Sequence, residues 1–514
     1  MADVSQWKTK SIALSGGTRF DIVPVLRDSV APGTLVDSQN FQSGDVGGYA
    51  RIKGYTKYDS TVVPGSGRVL GVFVFNDGVV ACRGSDIYFG TGSGWGSAIN
   101  PSSRTGAGQY RATKYRWSES RIVLVDGDNT PVRYNGATAT DLTNAPVAAT
   151  CVSEYKNHIF FGKDSTVTWS APNDDTVYLV ASGGGSVVVG DIITGLRVWR
   201  NELYVFMRNS IKKISGTSAA DFVVSVVTGD IGCPYPDTIQ EIGGDLLFLA
   251  PDGLRPISGT QNIGDVDIAT ISNPVQSLIL DKLSDYSSGN IISVHVEEES
   301  QYRLFFGLST DAVADAPGLN ACLNIGQQGI GWEFFPLKGI QVSCADTGVI
   351  SGGVSQLVVH GDYSGFVYKQ QFGDNFDGSN ISAYIKTPYY VFDDPALRKT
   401  IYRLRIYVEV EGGAIAELTC QLSLDDGDFT ILQPNALDMT SNIPATVAIY
   451  GFTGGLGGGS KYGTAVYGQG AQSLYKINSI GSGFNVAFTI SSDDTLPQYT
   501  LKTLIIEYAM EARQ

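Results

Sequence analysis

The sequence predicts an all-β protein: an irregular β-propeller followed by a C-terminal β-sandwich-like domain. Three observations carry that prediction. Helical periodicity is almost absent from the 514 residues. Short runs rich in Val, Ile, Tyr and Phe recur instead, each closed by a Gly, Asp or Asn turn. After about residue 378 the pattern lengthens into half-buried alternation, as in Tyr402, Leu404, Ile406 and Val408 against Arg403, Arg405, Tyr407 and Glu409. With 43% hydrophobic and 17% charged residues, the chain has material for more than one core, since single cores stop growing at roughly 250 to 300 residues. Its 62 glycines follow no three-residue period, so they read as turns, and collagen is excluded.

Residues 1–64 read as an extended arm with short hairpins, because Gly33, Gly44, Gly47, Gly48 and Gly54 leave no room for a long helix. Such an arm must lie on something, either its own propeller or a neighbouring subunit. From 65 to 377 the apolar runs repeat. Their first apolar positions, Ile87, Ile122, Ile159, Leu203, Leu246, Leu304 and Leu357, are spaced 35, 37, 44, 43, 58 and 53 residues apart. That period fits a four-stranded blade, which cannot bury its faces alone, and about seven such blades are expected. The wide intervals imply insertions, one of them holding a helix candidate within Ser272 to Tyr286. Residues 378–514 read as the sandwich-like domain, its last strand pairing with its early ones, interrupted by a Gly- and Tyr-rich loop at 451–475.

A formal charge of −15 argues against a surface that grips nucleic-acid phosphates. The six cysteines lie far apart with no C-x-x-C pair and read as small buried hydrophobes. No apolar stretch reaches the roughly 20 residues of a membrane helix, and no signal-peptide core follows the first lysines, so the chain is expected on the soluble side. His158, His295 and His360 are scattered over separate repeats, and neither DGDN at 126–129 nor DDGDF at 425–429 completes a calcium loop; no metal or cofactor is expected. A glycosidase would need converging carboxylates, and Asp126, Asp164, Asp252 and Asp362, with Arg208 and Arg255, have only the spacing that turns give. Phosphate-loop, dinucleotide and nucleophile-elbow motifs are absent. A structural or binding role is expected, not an enzyme.

Two stretches carry a family likeness. Pro32-Gly33, Asn40-Phe41 and Gly47 through Tyr55 (GGYARIKGY) resemble the opening of propeller-bearing tail proteins of short-tailed bacteriophages. Lys386-Thr387-Pro388, Phe392 through Pro395 and Arg398-Lys399 resemble the stretch that joins propeller to C-terminal domain in that group. The resemblance is to the tail nozzle, also called tail hub or tail accessory protein. It implies a virion protein, assembled in the host cytoplasm, of which six copies form a ring below the portal and its adaptor. That ring continues the DNA channel, carries a needle or fibres, retains the genome and opens for ejection. Duplex DNA would pass without sequence-specific binding, and the net acidity would repel phosphates from the lumen. Tyr49, Arg51 and Tyr55 in the arm, with Tyr389, Tyr390, Asp393 and Arg398 at the junction, are the expected intersubunit residues. The propeller is less regular than that of propeller enzymes, so its ring contacts are not placed residue by residue. The competing expectation is a glycan-binding or glycan-hydrolysing propeller acting in receptor recognition.

Overall fold

The computed structural model describes residues 7–22, 31–105, 108–258, 270–287, 290–308, 310–326, 329–350, 353, 355–410, 417–425, 429–432, 437–438 and 472–511. It is all-β, built of many separate antiparallel sheets. The chain divides into two compact units: one of Lys57–Gly318 and Ile340–Gln370, the other of Met1–Thr56, Leu319–Gly339 and Gln371–Gln514.

In the Lys57–Gln370 unit the sheets follow one another along the chain. The first holds Val69–Phe75, Gly78–Arg83 and Asp86–Gly90, with Gly96 and Ile99 donating to Phe89 and Ile87 along its open edge. The second holds Arg111–Arg116, Ser120–Val125, Val132–Tyr134 and Ala139–Asp141. The third is Cys151–Tyr155, His158–Lys163, Thr166–Trp169 and Gly185–Val188, and the fourth Ile193–Trp199, Glu202–Met207, Ile211–Ser215 and Val223–Thr228. The fifth has three strands, Gln240–Ile242, Asp245–Ala250 and Gly253–Pro256, and is followed by a helix at Gln276–Asp285, inside the segment the sequence marked. The sixth opens with the hairpin Ile291–Val296 and Gln301–Phe306. The seventh holds Cys344–Gly348, Leu357–Gly361 and Val367–Gln370, and its fourth strand is Tyr55–Lys57, through which the chain comes into the unit.

Local sequence explains the recurring first hairpin. Lys156-Asn157, Arg200-Asn201 and Gly243-Gly244 all take positive φ at both central positions, the turn that matches strand twist and that Asn and Gly tolerate best. The apolar positions counted in the sequence fall in the second strand of sheets two to seven. Ile87 is the exception: it lies in the third strand of sheet one, whose second strand is GVVACR.

Each sheet buries its faces against its neighbours. Phe73 and Phe75 of the first pack with Ile122 and Tyr134 of the second; Val123 and Val125 meet Ile159 and Phe161 of the third; Phe160 and Val167 meet Leu203 and Val205 of the fourth; Tyr204 and Phe206 meet Leu246 and Phe248 of the fifth. Tyr302 of the sixth donates to the Thr238 carbonyl at the fifth, and Tyr363 beside the seventh donates to Gly307 after the sixth, both at 2.7 Å. Finally Val359 and Val367 of the seventh pack on Val69, Val72 and Val74 of the first.

That last seam is tied by backbone and by one guanidinium. Tyr58, Val63 and Val69 donate to the carbonyls of Val367, Gly365 and Asp362. Arg83, buried, donates to the carbonyls of Gly67 (2.8 Å), Val63 (2.5 Å) and Ser364 (3.0 Å). The chain backbone runs so close here that a Cβ on Gly361 would come within 2.5 Å of Val69 Cβ, and one on Gly365, at φ +98°, would strike the Arg83 guanidinium. Asp362 holds the turn by accepting the N–H groups of Ser364, Gly365 and Phe366.

The other unit contains two six-stranded sheets. One runs Phe41–Ser43, Tyr49–Arg51, Tyr499–Met510, Lys399–Val410, Gln472–Gly483, with Lys8–Ala13 also paired to Tyr499–Met510. The other runs Asp37–Gln39, Ile381–Lys386, Val486–Asp494, Glu417–Leu424, Phe429–Leu432, with Leu437–Asp438 paired to Glu417–Leu424. One face of each is buried, as in Ile381, Ala383 and Ile385 or Leu501, Leu504 and Ile506. The arm therefore lies on the C-terminal sheets of its own chain, a third possibility beyond the two expected. A register shift between Ile401 and Arg403 corrects the alternation read from sequence: Ile401 is buried with Leu404, Ile406 and Val408, while Tyr402 turns outward to stack on Trp7 with ring centroids 4.8 Å apart. Of the loop expected at 451–475, residues 451–471 lie outside the described residues, and 472–475 are the start of a strand.

Arg83→Met should cost about 2–4 kcal/mol in urea unfolding, because it strips a charged donor from three carbonyls at the closing seam; a loss under about 0.5 kcal/mol would remove Arg83 from that role. His360, buried and stacked on Tyr368, has its pKa lowered by burial to about 3. The unfolded histidine titrates near ~6.5, so below that pH the unfolded state takes up a proton that the fold refuses. Stability is thus full above that pH and falls as pH drops toward 3, and His360→Phe should flatten the decline between pH 7 and 4.5 in denaturant midpoints.

Candidate functional site

The first strands of the seven sheets, or the turn leading into them, line one cavity of about 380 Å³. Consecutive residues of these strands border it, as Gly71–Phe73 and Gly195–Arg197 do. Phe73, Thr113, Val152, Leu196, Gln240, Ser293 and Thr347 are among its walls, one from each sheet in chain order. Into these mostly neutral walls project five charged residues: Arg111, Lys114, Arg197, Asp237 and Asp346.

Four of the five form pairs. Arg111 holds Asp237 in a two-pronged bond, Nε to Oδ1 at 2.7 Å and Nη2 to Oδ2 at 2.8 Å, and its Nη1 donates to the Thr150 carbonyl. This bond joins the second sheet to the fifth, which are not neighbours, so it crosses the cavity. Lys114 reaches Asp346 Oδ2 of the seventh sheet at 2.5 Å, and the same oxygen accepts the Val74 N–H of the first. Gln109 donates to the Ser343 carbonyl at 3.0 Å while its Oε1 is buried without a donor. Arg197, from the fourth sheet, has no hydrogen bond or ion pair among the described residues. Burial lowers its pKa, against the pull of Asp346 and Glu241. His295, nearby, is likewise lowered by burial and by Arg197, with Glu297 opposing.

The aspartates weighed for glycosidase chemistry are elsewhere. Asp126 accepts the N–H groups of Asp128 and Asn129 and the Arg104 guanidinium at 2.8 Å; Asp252 is bonded to Arg255; Asp164 sits in a turn at φ +50°; Asp362 holds the closing turn. Among the described residues no three His, Cys, Asp or Glu side chains gather as metal ligands would, and all six cysteines are buried.

The residues named for intersubunit contact fall into two groups. Tyr49, buried, accepts the Gly17 N–H at 3.0 Å and donates to the Gly33 carbonyl at 2.8 Å. Arg51, buried, is bonded to Asp494 at 2.6 Å and to the Leu496 carbonyl. Tyr55 stacks on Phe376, and Tyr390, fully buried, donates to the Pro32 carbonyl at 2.9 Å. These four present almost no surface. Tyr389 is half-buried, while Asp393 and Arg398 are exposed, Asp393 bonded to Lys8 and Tyr508 and Arg398 to the Ser482 carbonyl. The cavity residues were not singled out in the sequence. Their only signal is a charged residue inside a strand that precedes a hairpin turn, as in RATKYR or ITGLRVW.

No family model matches this chain, and no curated protein does. Similar solved structures include the extracellular domain of a one-component system, BT4673, of B. thetaiotaomicron, at 8% identity and TM-score 0.39, covering 62% of this chain and 40% of that one. Another is BBS1N in complex with ARL6DN, at 10% and 0.35, covering 65% and 97%. A third is PorZ, a surface component of the type-IX secretion system of Porphyromonas gingivalis, at 11% and 0.33, covering 67% and 44%. This chain spans less than half the length of the first and third, and likeness at this level decides nothing about function.

Asp237→Asn should destabilise the protein by about 1–3 kcal/mol by leaving Arg111 without its counter-charge. Because Arg111→Met removes the same bond, a double-mutant cycle in urea should return a coupling of at least about 1 kcal/mol; independent effects would show that the cross-cavity bond carries no load.

Proposed function

We propose that the seven small sheets are the blades of a β-propeller, that the two six-stranded sheets form a β-sandwich, and that the chain is a tail nozzle protein of the kind its motifs resemble. Copies associate in a ring, six-fold by that resemblance, below the portal and adaptor of a short-tailed virion. The ring retains the genome and opens for its ejection. The propeller reading is supported by the packing order, each sheet on the next and the seventh on the first around one cavity. The observation that carries the functional reading is the meeting of the two motifs. Pro32 of the first accepts from Tyr390, which lies between the quoted parts of the second, and Asp37, between those of the first, pairs with Lys386 of the second. Stretches some 350 residues apart in sequence thus build one junction, as parts of a shared family design would.

Assembly needs a surface, and the outer edges of sheets three and four offer one. Their last strands, GSVV and VVSVVT, carry no charge, flank the same apolar cluster through Val187 and Val224, and leave Val188, Val223 and Val226 exposed. Leu179, Val180 and Ile192 are exposed in the same stretch of chain. Unguarded apolar edges of this kind are what monomers avoid.

Cryo-electron microscopy and light scattering test the reading. A closed ring with six times the 54.8 kDa chain mass and a lumen wide enough for duplex DNA is expected. Val188→Asp with Val226→Asp should give a folded chain that fails to close the ring. A wild-type protein that is monomeric both in solution and in particles would overturn the proposal.

A further inference from the structure

Asn135-Gly136 is the only Asn-Gly pair in the sequence, and it stands where the second sheet turns from Val132–Tyr134 to Ala139–Asp141. The turn needs both residues. Asn135 Oδ1 accepts the N–H groups of Ala137 (3.0 Å) and Thr138 (2.8 Å) and the Thr138 hydroxyl (3.3 Å), while the Asn135 N–H donates to the Thr138 carbonyl. Gly136 takes φ +95°, and a Cβ there would come within 2.8 Å of Asn76 Nδ2. The Gly136 carbonyl accepts the Tyr134 hydroxyl at 2.8 Å. Its N–H has no acceptor among the described residues, and the residue is exposed.

Together these features suit one reaction. The Gly136 nitrogen is within covalent reach of Asn135 Cγ, and joining the two closes a five-membered ring. In that step negative charge develops on Oδ1, the oxygen that three donors already hold, as in an oxyanion hole. Nδ2, the leaving nitrogen, faces Glu119 Oε2 at 3.5 Å, and a carboxylate there favours the proton this nitrogen must take up. The turn at Asp126-Gly127 repeats the pattern without the reactivity. Asp126 Oδ1 accepts the N–H groups of Asp128 and Asn129, but an ionised carboxylate repels a nucleophile, and the Gly127 N–H is donated to the Ala149 carbonyl.

We propose that Asn135 is a self-modification site, converted in the folded protein to aspartate and isoaspartate without an enzyme. Gly136 N gives up its proton to water and bonds to Cγ; the Cγ–Nδ2 bond breaks, and ammonia leaves with a proton from water. Water then opens the cyclic imide, at Cγ to give aspartate or at the main-chain carbonyl carbon to give isoaspartate, whose backbone is longer by one methylene. Either product sets a second carboxylate against Glu119. Isoaspartate also displaces the register Tyr134↔Ala139, Arg133↔Thr140 and Val132↔Asp141, which holds an outer strand only three residues long. The conversion therefore loosens the rim of the second sheet.

Peptide mapping by tandem mass spectrometry tests this on the full chain kept for weeks at physiological temperature and mildly alkaline pH. A mass gain of about one dalton at Asn135, with isoaspartate identified by its fragments, is expected. It should proceed at least about tenfold faster than at any other asparagine, and no slower than in the same chain unfolded in urea. Thr138→Val and Glu119→Gln, each verified as folded by circular dichroism, should slow it severalfold. Hydrogen exchange at Ala139–Asp141 should rise as isoaspartate accumulates. An unchanged Asn135 in the folded chain, faster conversion in urea, or a rate insensitive to both substitutions overturns the proposal. Exchange that stays constant while isoaspartate accumulates overturns the loosening.

Discussion

A short antiparallel sheet of three or four strands is wide enough to bury two faces and too small to bury either alone, and everything in the Lys57–Gln370 unit follows from meeting that need. Sheets two to six find partners on both sides simply by following one another along the chain. The first and seventh cannot, because nearly three hundred residues of sequence separate them. Their union rests on the segment from Lys57 to Val69, which lays its N–H groups along the seventh sheet, and on Arg83, whose five-donor fork reaches carbonyls on both sides. Gly361 and Gly365 clear the space for this approach. Without that seam Val69, Val72 and Val359 would face water and the cavity would have no seventh wall.

The repeat was legible because its strongest signal is local. The second strand of each sheet is buried on both faces, so it reads as an unbroken apolar run behind a turn that demands Asn or Gly. The signal slipped where local composition differs from structural role. GVVACR has no aromatic residue, so the sequence signal falls on DIYFG, the next strand of the same sheet. In the long strand Lys399–Val410 the alternation was correct from Leu404 onward and wrong at Tyr402, since one bulged residue shifts every side chain before it to the other face. The arm was beyond sequence reasoning for a different reason: three-residue strands such as Tyr49–Arg51 have no period of their own, and only the partner strand Tyr499–Met510 defines them.

The cavity was illegible in principle. Arg111, Lys114, Arg197, Asp237 and Asp346 are spread over 236 residues, with at most two from any sheet, and no motif spacing links them. The acidic residues that the sequence did put forward are conspicuous because turns need them: an aspartate at the end of a second strand caps the N–H groups that follow, as Asp126 and Asp362 do. Prominence in sequence and convergence in space are separate properties here, and only the second makes a site.

Buried ion pairs sort the charges of this chain by task. Arg104–Asp126 fixes the second sheet's turn, Asp175 gathers Arg121, Arg133 and Tyr115 at the seam of sheets two and three, and Arg51–Asp494 anchors the arm. Each joins neighbours and fills a seam. Arg111–Asp237 differs because it spans open space between sheets that do not touch, and by crossing the cavity it closes that path to anything as wide as a nucleic acid. If DNA passes this protein, it passes between copies and not through one. A formal charge of −15 makes copies of this chain repel one another wherever they meet. Association of such chains would need contacts that charge does not weaken, and the two uncharged, valine-rich edges on an otherwise acidic protein are of that kind.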